Sequence, residues 1–299
     1  MSSWDLAGLA SKFTGLCAVA IVVGGGFSIW LDVHMGNPFR RRLLSYVLVG
    51  AIAGTVSACL FFLIQVGAIN QAGVAGMWDW PMAKILATTG LGYATGLRVL
   101  GCVMAAGSAV VLSRSAHTIM RRRLGSVSIA ALFTVQCALM VFSFPMMGHV
   151  ANLGMLAQAA LIVHVLSVFL WIGALYPLWQ LCTADANATT HRTMVRFGEI
   201  AKFILIALIA SGTYLIFELL SSFRELLDTA YGQSLLFKLI GVTGLIALAG
   251  LNKFLLVPDL QKGSAAVTRL RRSIQMEMLV ALAILALTAY FTTAVGPPS

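Results

Sequence analysis

The chain has 299 residues, 60% of them hydrophobic and only 10% charged, with a formal net charge of +10. Soluble globular chains carry about 25% charged residues, so this composition and a mean hydropathy of +0.93 exclude a water-soluble core and point to lipid. The positive balance does not point to nucleic acid: no basic patch is interleaved with aromatics, and in a membrane chain Lys and Arg mark cytoplasmic loops.

The apolar runs are continuous rather than alternating, which favours helices over a β-barrel. At about 20 residues per crossing, the chain has room for about eight transmembrane helices. The expectation is an all-α polytopic membrane protein, one membrane domain over residues 1–299.

In chain order, the first apolar segment runs over residues 8–33. Nothing before it resembles the basic n-region of a cleaved signal, since Asp5 is the sole charge there. An uncleaved first helix with an exported N-terminus is expected. Gly24, Gly25 and Gly26 lie within it and serve packing or bending. His34 and Met35 close it beside Asp32, as a candidate exit site for a soft cation. After Arg40, Arg41 and Arg42 comes a second segment, 43–69, with a small-residue spacing at Gly50 and Gly54.

The next connection carries Met77, Trp78, Asp79, Trp80 and Met82, read either as soft ligands beside a carboxylate or as interfacial anchors. The third segment, 88–113, holds Gly92, Gly96 and Arg98. The fourth, 125–147, ends in Phe144, Met146, Met147, Gly148 and His149. The fifth, 153–181, contains His164, about 16 Å from its start at 1.5 Å per residue. The sixth, 196–221, carries Glu218 near its outer end; the seventh, 233–256, carries Lys238, Asn252 and Lys253; the eighth, 271–294, carries Glu277.

The loops set the orientation. Arg40 to Arg42, then Arg114 with Arg121 to Arg123, then His191, Arg192 and Arg196, then Lys262, Arg269, Arg271 and Arg272 fall on alternate connections. The others hold only Lys84 and Arg224. The positive-inside rule then puts both termini in the periplasm of a bacterial inner membrane. Five scattered cysteines form no paired spacing, and they read as packing residues or soft metal ligands.

Thioether and imidazole groups suit cuprous copper, and imidazole also suits cupric copper. Met146, Met147 and His149 form such a set on the exported side, and His164 is an intramembrane ionisable residue, which is costly and functional by default. The competing reading of His164 is a neutral ring hydrogen-bonded to a neighbouring helix. Arg98, Lys238, Glu218 and Glu277 read as ion-paired or snorkelling side chains. Asn252 and Lys253 fall within reach of Glu277, which is the carboxylate a cation path would use. The sequence carries no phosphate-cradling, zincin or nucleophile-elbow motif, so no enzyme is expected.

The C-terminal half resembles the copper resistance protein D family. The likeness is carried by Arg196 and Phe197, Ser211 and Gly212, Tyr231 and Gly232, Leu236, Lys238, Asn252 and Pro258, Leu270 to Ser273, and Glu277. Gly148, His149, His164 and Trp171 to Gly173 extend it upstream, over roughly residues 145–295. The resemblance implies a bacterial inner-membrane protein that moves copper from periplasm to cytoplasm. It also implies a separate periplasmic copper-binding partner of the CopC type, and it carries the metal role to His149 and His164. Two alternatives stand beside copper import: a haem-binding redox protein, which needs two facing histidines, and a copper-binding sensor that does not transport. An oligomer is compatible with the glycine spacings.

Overall fold

The computed structural model describes residues 2–31, 37–119, 123–182, 188–220, 222 and 224–294, without the side chains of 37, 115–119, 123–129, 149, 188, 189, 261, 262 and 294. His34 and Met35 lie outside the described residues, as does the side chain of His149.

The protein is an all-α polytopic membrane protein. Its helices are α1 (Ser3–Leu31), α2 (Asn37–Asn70), α3 (Trp80–Ala87), α4 (Gly90–Ile119) and α5 (Arg123–Phe142). They continue with α6 (Met155–Leu181), α7 (Ala188–Leu219), α8 (Glu225–Asp228), α9 (Ala230–Leu251) and α10 (Ser264–Ala294). Among the described residues, seven are long and apolar enough to cross a membrane: α1, α2, α4, α6, α7, α9 and α10. The 20-residue α5 extends about 30 Å, and its described apolar part is Ala130–Phe142.

The helices outrun the apolar segments at their polar ends. The second begins at Asn37 rather than 43, the sixth at Ala188 rather than 196, and the eighth at Ser264 rather than 271. Hydropathy registers only the lipid-buried part. The helices continue through Arg40, Arg192 and Arg269, and the Arg192 and Arg269 side chains are exposed. At the N-terminus the first turn is closed reciprocally: Ser2 N donates to Asp5 Oδ2 at 2.7 Å and Asp5 N to Ser2 Oγ at 3.1 Å.

α1 is the pivot of the bundle, packing on α2, α6 and α10, while α2 packs on α4, α4 on α5, α6 on α7, and α9 on α10. The Gly24 to Gly26 run explains how one helix serves several neighbours. A Cβ on Gly24 would lie 2.1 Å from the backbone of Gly173 on α6. On Gly25 it would lie 2.7 Å from Val47 of α2, and on Gly26 2.0 Å from Phe133 of α5. Three consecutive glycines thus face three helices. Gly50 and Gly54 act likewise, against Ile21 and Cys102. The second small-residue spacing does not: Gly92 abuts Ala87 of α3, and Gly96 has no neighbour within 4 Å.

Two apolar cores result. One, around Val23, Ala51, Cys102, Met140 and Phe169, joins α1 to α6. The other, around Leu31, Leu175, Leu208, Leu245, Leu270 and Ala281, joins α1, α6, α7, α9 and α10. Exposed Val49, Ile52, Phe203, Ile206, Phe237 and Leu279 form the outer surface, as a lipid-facing bundle requires.

Candidate functional site

His164 sits nine residues into α6, about 14 Å from its first residue. Its ring rests on Gly212 of α7, where an added Cβ would lie 3.1 Å from Cε1 and 3.2 Å from Nδ1. The ring is hydrogen-bonded to the Leu208 backbone of α7, and the Lys238 side chain on α9 lies within electrostatic range. Nδ1 is buried and has no hydrogen-bond partner among the described residues. Gly212 stands about 10 Å from the end of α7 and Lys238 about 12 Å from the start of α9. All three therefore share one depth. Lys238 has no hydrogen bond or ion pair among the described residues.

The arrangement leaves an imidazole nitrogen free to accept, inside an apolar wall, with an amine as the neighbouring charge. A neutral imidazole with an open nitrogen is a metal donor. His191 opens the far end of α7, about 32 Å along the helix from Gly212, so it supplies no facing partner to His164.

Met146 and Met147 stand apart from His164 along the chain. α5 ends at Phe142, and the chain turns through residues 143–148 with Gly148 at φ +81°, a left-handed conformation that a side chain resists. The backbone of His149 opens a short helical turn, His149–Asn152. Met146 is 41% exposed, and its carbonyl lies against Gly90 at the start of α4. Met147 is half-buried. These residues precede α6, whereas His164 lies about two and a half turns down it, too far to share a metal shell with bonds of about 2 Å. No group of three or more His, Cys, Asp or Glu side chains among the described residues is arranged to hold a metal.

The connection before α4 is built for structure. Asp79 caps α3, accepting from Met82 N at 2.8 Å. That bond, with a second from the Asn70 amide, holds its carboxyl below the ordinary value. Met77 packs beside Trp4 against Gly67. Trp78 and Trp80 are exposed, as interfacial anchors are. The described cysteines are free thiols, with Cys102, Cys137 and Cys182 buried.

Two further polar clusters occupy the bundle. At the end of the bundle that holds the 143–148 turn, Arg98 Nε donates to Ser143 Oγ at 2.8 Å and its guanidinium stacks over Phe144 at 4.5 Å. Lys12 donates to the Thr292 carbonyl at 2.6 Å and lies over Phe61. Lys12 was not singled out in the sequence, although a lysine inside the first apolar run was the available signal. At the opposite end, Glu277 is 3% exposed and accepts from Asn252 Nδ2 at 2.5 Å. Lys253 does not reach it: its amine bonds the Gly198 carbonyl at 2.7 Å and Glu199 at 3.2 Å. Glu218 accepts from Tyr214 on its own helix. Arg196 donates to the last carbonyl of α1, Leu31, at 2.6 Å and stacks on Trp30, tying the start of α7 to the end of α1.

Residues 191–291, which span α7 to most of α10, match the family described as copper resistance protein D. That stretch of the chain is similar to the copper resistance protein D family. The match takes in Gly212, Lys238, Asn252 and Glu277, so the α7 wall under His164 is part of the copper resistance protein D region. Among curated proteins, the inner membrane protein YebZ of Escherichia coli (strain K12) is 31% identical over 134 residues, covering 42% of this chain and 46% of YebZ. The chain thus spans about half the length of that relative. No solved structure matches.

Proposed function

We propose that the protein imports copper ions across the bacterial inner membrane, with His164 as the intramembrane ligand and His149, Met146 and Met147 as an outer receiving site. The observation that carries this reading is the copper resistance protein D match over 191–291, the region on which the His164 ring rests. Three things support the finer assignment. The donors are soft and few, which suits an ion that must bind and then leave. The His164 Nδ1 is unpartnered among the described residues. The outer set and His164 stand at successive depths from one end of the bundle.

In this reading both termini are periplasmic and residues 145–295 carry the copper function. A separate CopC-type protein delivers the ion to the Met146–His149 turn. For a cation to rest at His164, the Lys238 amine must be neutral or turned toward the aqueous edge, because two positive charges at this depth repel strongly.

The test is copper uptake into proteoliposomes holding equal amounts of folded protein. His164→Ala is expected to reduce uptake by roughly tenfold or more, the equivalent of about 1.4 kcal/mol of lost ligation. His149→Ala is expected to raise the copper concentration at half-maximal uptake. Wild-type rates in both variants would remove the transport role from these residues.

A further inference from the structure

We propose that Glu277 and Asn252 form a proton-binding site within the bundle, in which the Glu277 carboxyl carries an exchangeable proton and shares it with Asn252 Oδ1. The inference concerns a proton rather than the metal and does not depend on the copper reading.

Glu277 is an acid in an apolar place, about 20 Å along α10 from its first residue. Among the described residues it accepts a hydrogen bond from the Asn252 amide N–H, and no ion pair involves it. The charged and titratable groups on elements that pack against α10 are engaged or distant. On α1, Lys12 bonds the Thr292 carbonyl near the other end of α10, Asp5 bonds Ser2, and Cys17 lies in the outer half. On α6, His164 is in the outer half and Cys182 lies within range of Arg271. On α9 and its extension, Lys238 is in the outer half and Lys253 is held by Gly198 and Glu199. On α10 itself, Arg271 stacks over Trp179 at 4.3 Å and Arg269 faces Asp259 at 3.8 Å.

Asn252 supplies the second half of the argument. It is 8% exposed, and its Oδ1 is buried with no donor. It opens a π-helical turn, Asn252–Leu256, in which Val257 N bonds the Asn252 carbonyl at 2.8 Å. Such bulges insert a residue into a helix and turn side chains toward functional sites.

An ionised Glu277 would leave two defects side by side: a carboxylate with no countercharge and an amide oxygen with no donor. Both are costly away from water. One proton removes both. The neutral acid donates its O–H to Asn252 Oδ1 while the amide N–H donates to the other carboxyl oxygen, closing a cyclic acid–amide pair. Turning the amide over gives the same answer, because Oδ1 would then face Glu277 Oε1 and two acceptors need a proton between them.

Ser273 completes the site. It lies one turn before Glu277 on the same face of α10, is 9% exposed, and its Oγ has no partner among the described residues. It stands between Glu277 and the Arg-rich end of the helix. On release, the carboxyl keeps the bonding electron pair and the proton passes by way of the Ser273 hydroxyl to water.

The experiment is pH-difference infrared spectroscopy of the full chain in liposomes without copper. At neutral pH the wild type is expected to show a protonated-carboxyl C=O stretch that shifts down in D2O and is lost on raising the pH. Glu277→Gln removes the band, and Asn252→Ala moves it to the higher frequency of a less hydrogen-bonded acid. Should Glu277→Gln fail to fold, ¹³C-glutamate labelling of the wild type must shift the band. Identical spectra for wild type and Glu277→Gln would overturn the proposal. So would a band that ignores the ¹³C label or the loss of Asn252.

Discussion

The two halves of the bundle handle buried polarity in opposite ways. In α1 to α5, Lys12 and Arg98 bond Thr292 and Ser143 and lie over Phe61 and Phe144, and Gln136 bonds the Met104 carbonyl and Ser108. In α6 to α10, His164 Nδ1, Trp179 Nε1, Asn252 Oδ1, Arg271 Nε and Ser273 Oγ are buried without hydrogen-bond partners among the described residues. Buried polar groups are normally paired, and each exception calls for a reason. Lys12, Arg98 and Gln136 of the N-terminal half are thus each tied down. The C-terminal half, which contains the region similar to copper resistance protein D, keeps these buried donors and acceptors unpaired among the described residues.

The contrast can be broken most forcefully at the joint between the halves. A Cβ on Gly173 would lie 1.8 Å from the Ala20 carbonyl, a backbone atom that cannot step aside. Gly173→Val is expected to cost at least the upper end of the roughly 1–3 kcal/mol typical of overpacking, read as loss of a monodisperse peak and a lower unfolding temperature. Gly244→Ala, with nothing within 4 Å, is the matched control and is expected to be neutral or slightly stabilising.

Within the scaffold, Ser143→Ala removes the partner of the Arg98 guanidinium. A hydrogen bond to a charged group is worth about 1.5–3 kcal/mol, so stability in detergent should fall by that order while copper uptake per folded molecule stays unchanged. Across the divide, Lys238→Met should tighten copper binding by roughly tenfold, about 1.4 kcal/mol, by removing the cation that acts on His164. Lys12→Met should leave it unaltered. Equal effects of the two lysines on copper titrations would erase the distinction between the halves.

The smallest effect is expected at Asp79, outside the membrane-spanning helices. Its folded carboxyl is held below the ordinary value of 3.8, so its contribution is complete above that value and fades as the pH falls through the folded one. Asp79→Ala should loosen α3 at neutral pH, seen as faster amide exchange at Met82, and should change little in strong acid. Asp79→Asn keeps the cap.

The fold was legible because lipid imposes a simple rule: apolar runs long enough to cross must be helices. What hydropathy could not show was where each helix enters water, so Ala188 and Ser264 lie seven or eight residues ahead of the expected starts. The site was legible in part. An ionisable residue in an apolar run stands out by itself, which made His164, Lys238 and Glu277 visible. Asn252 was within the expected reach of Glu277, but Gly212, on which the His164 ring rests, looks ordinary until α7 is laid beside α6. Lys253 misled for the same reason. Adjacent to Asn252 in sequence, it points to α7 instead, since neighbours on a helix face different directions. The Met77 to Met82 loop resembles a soft ligand set but is held together by a helix cap and tryptophan contacts.

Copper-edge X-ray absorption of protein in lipid nanodiscs, loaded with limiting copper, tests the role of the C-terminal half most directly. The account predicts imidazole scattering in the wild type and a loss of one imidazole, with lower retained copper, in His164→Ala. An unchanged spectrum and unchanged copper content in that variant would contradict it.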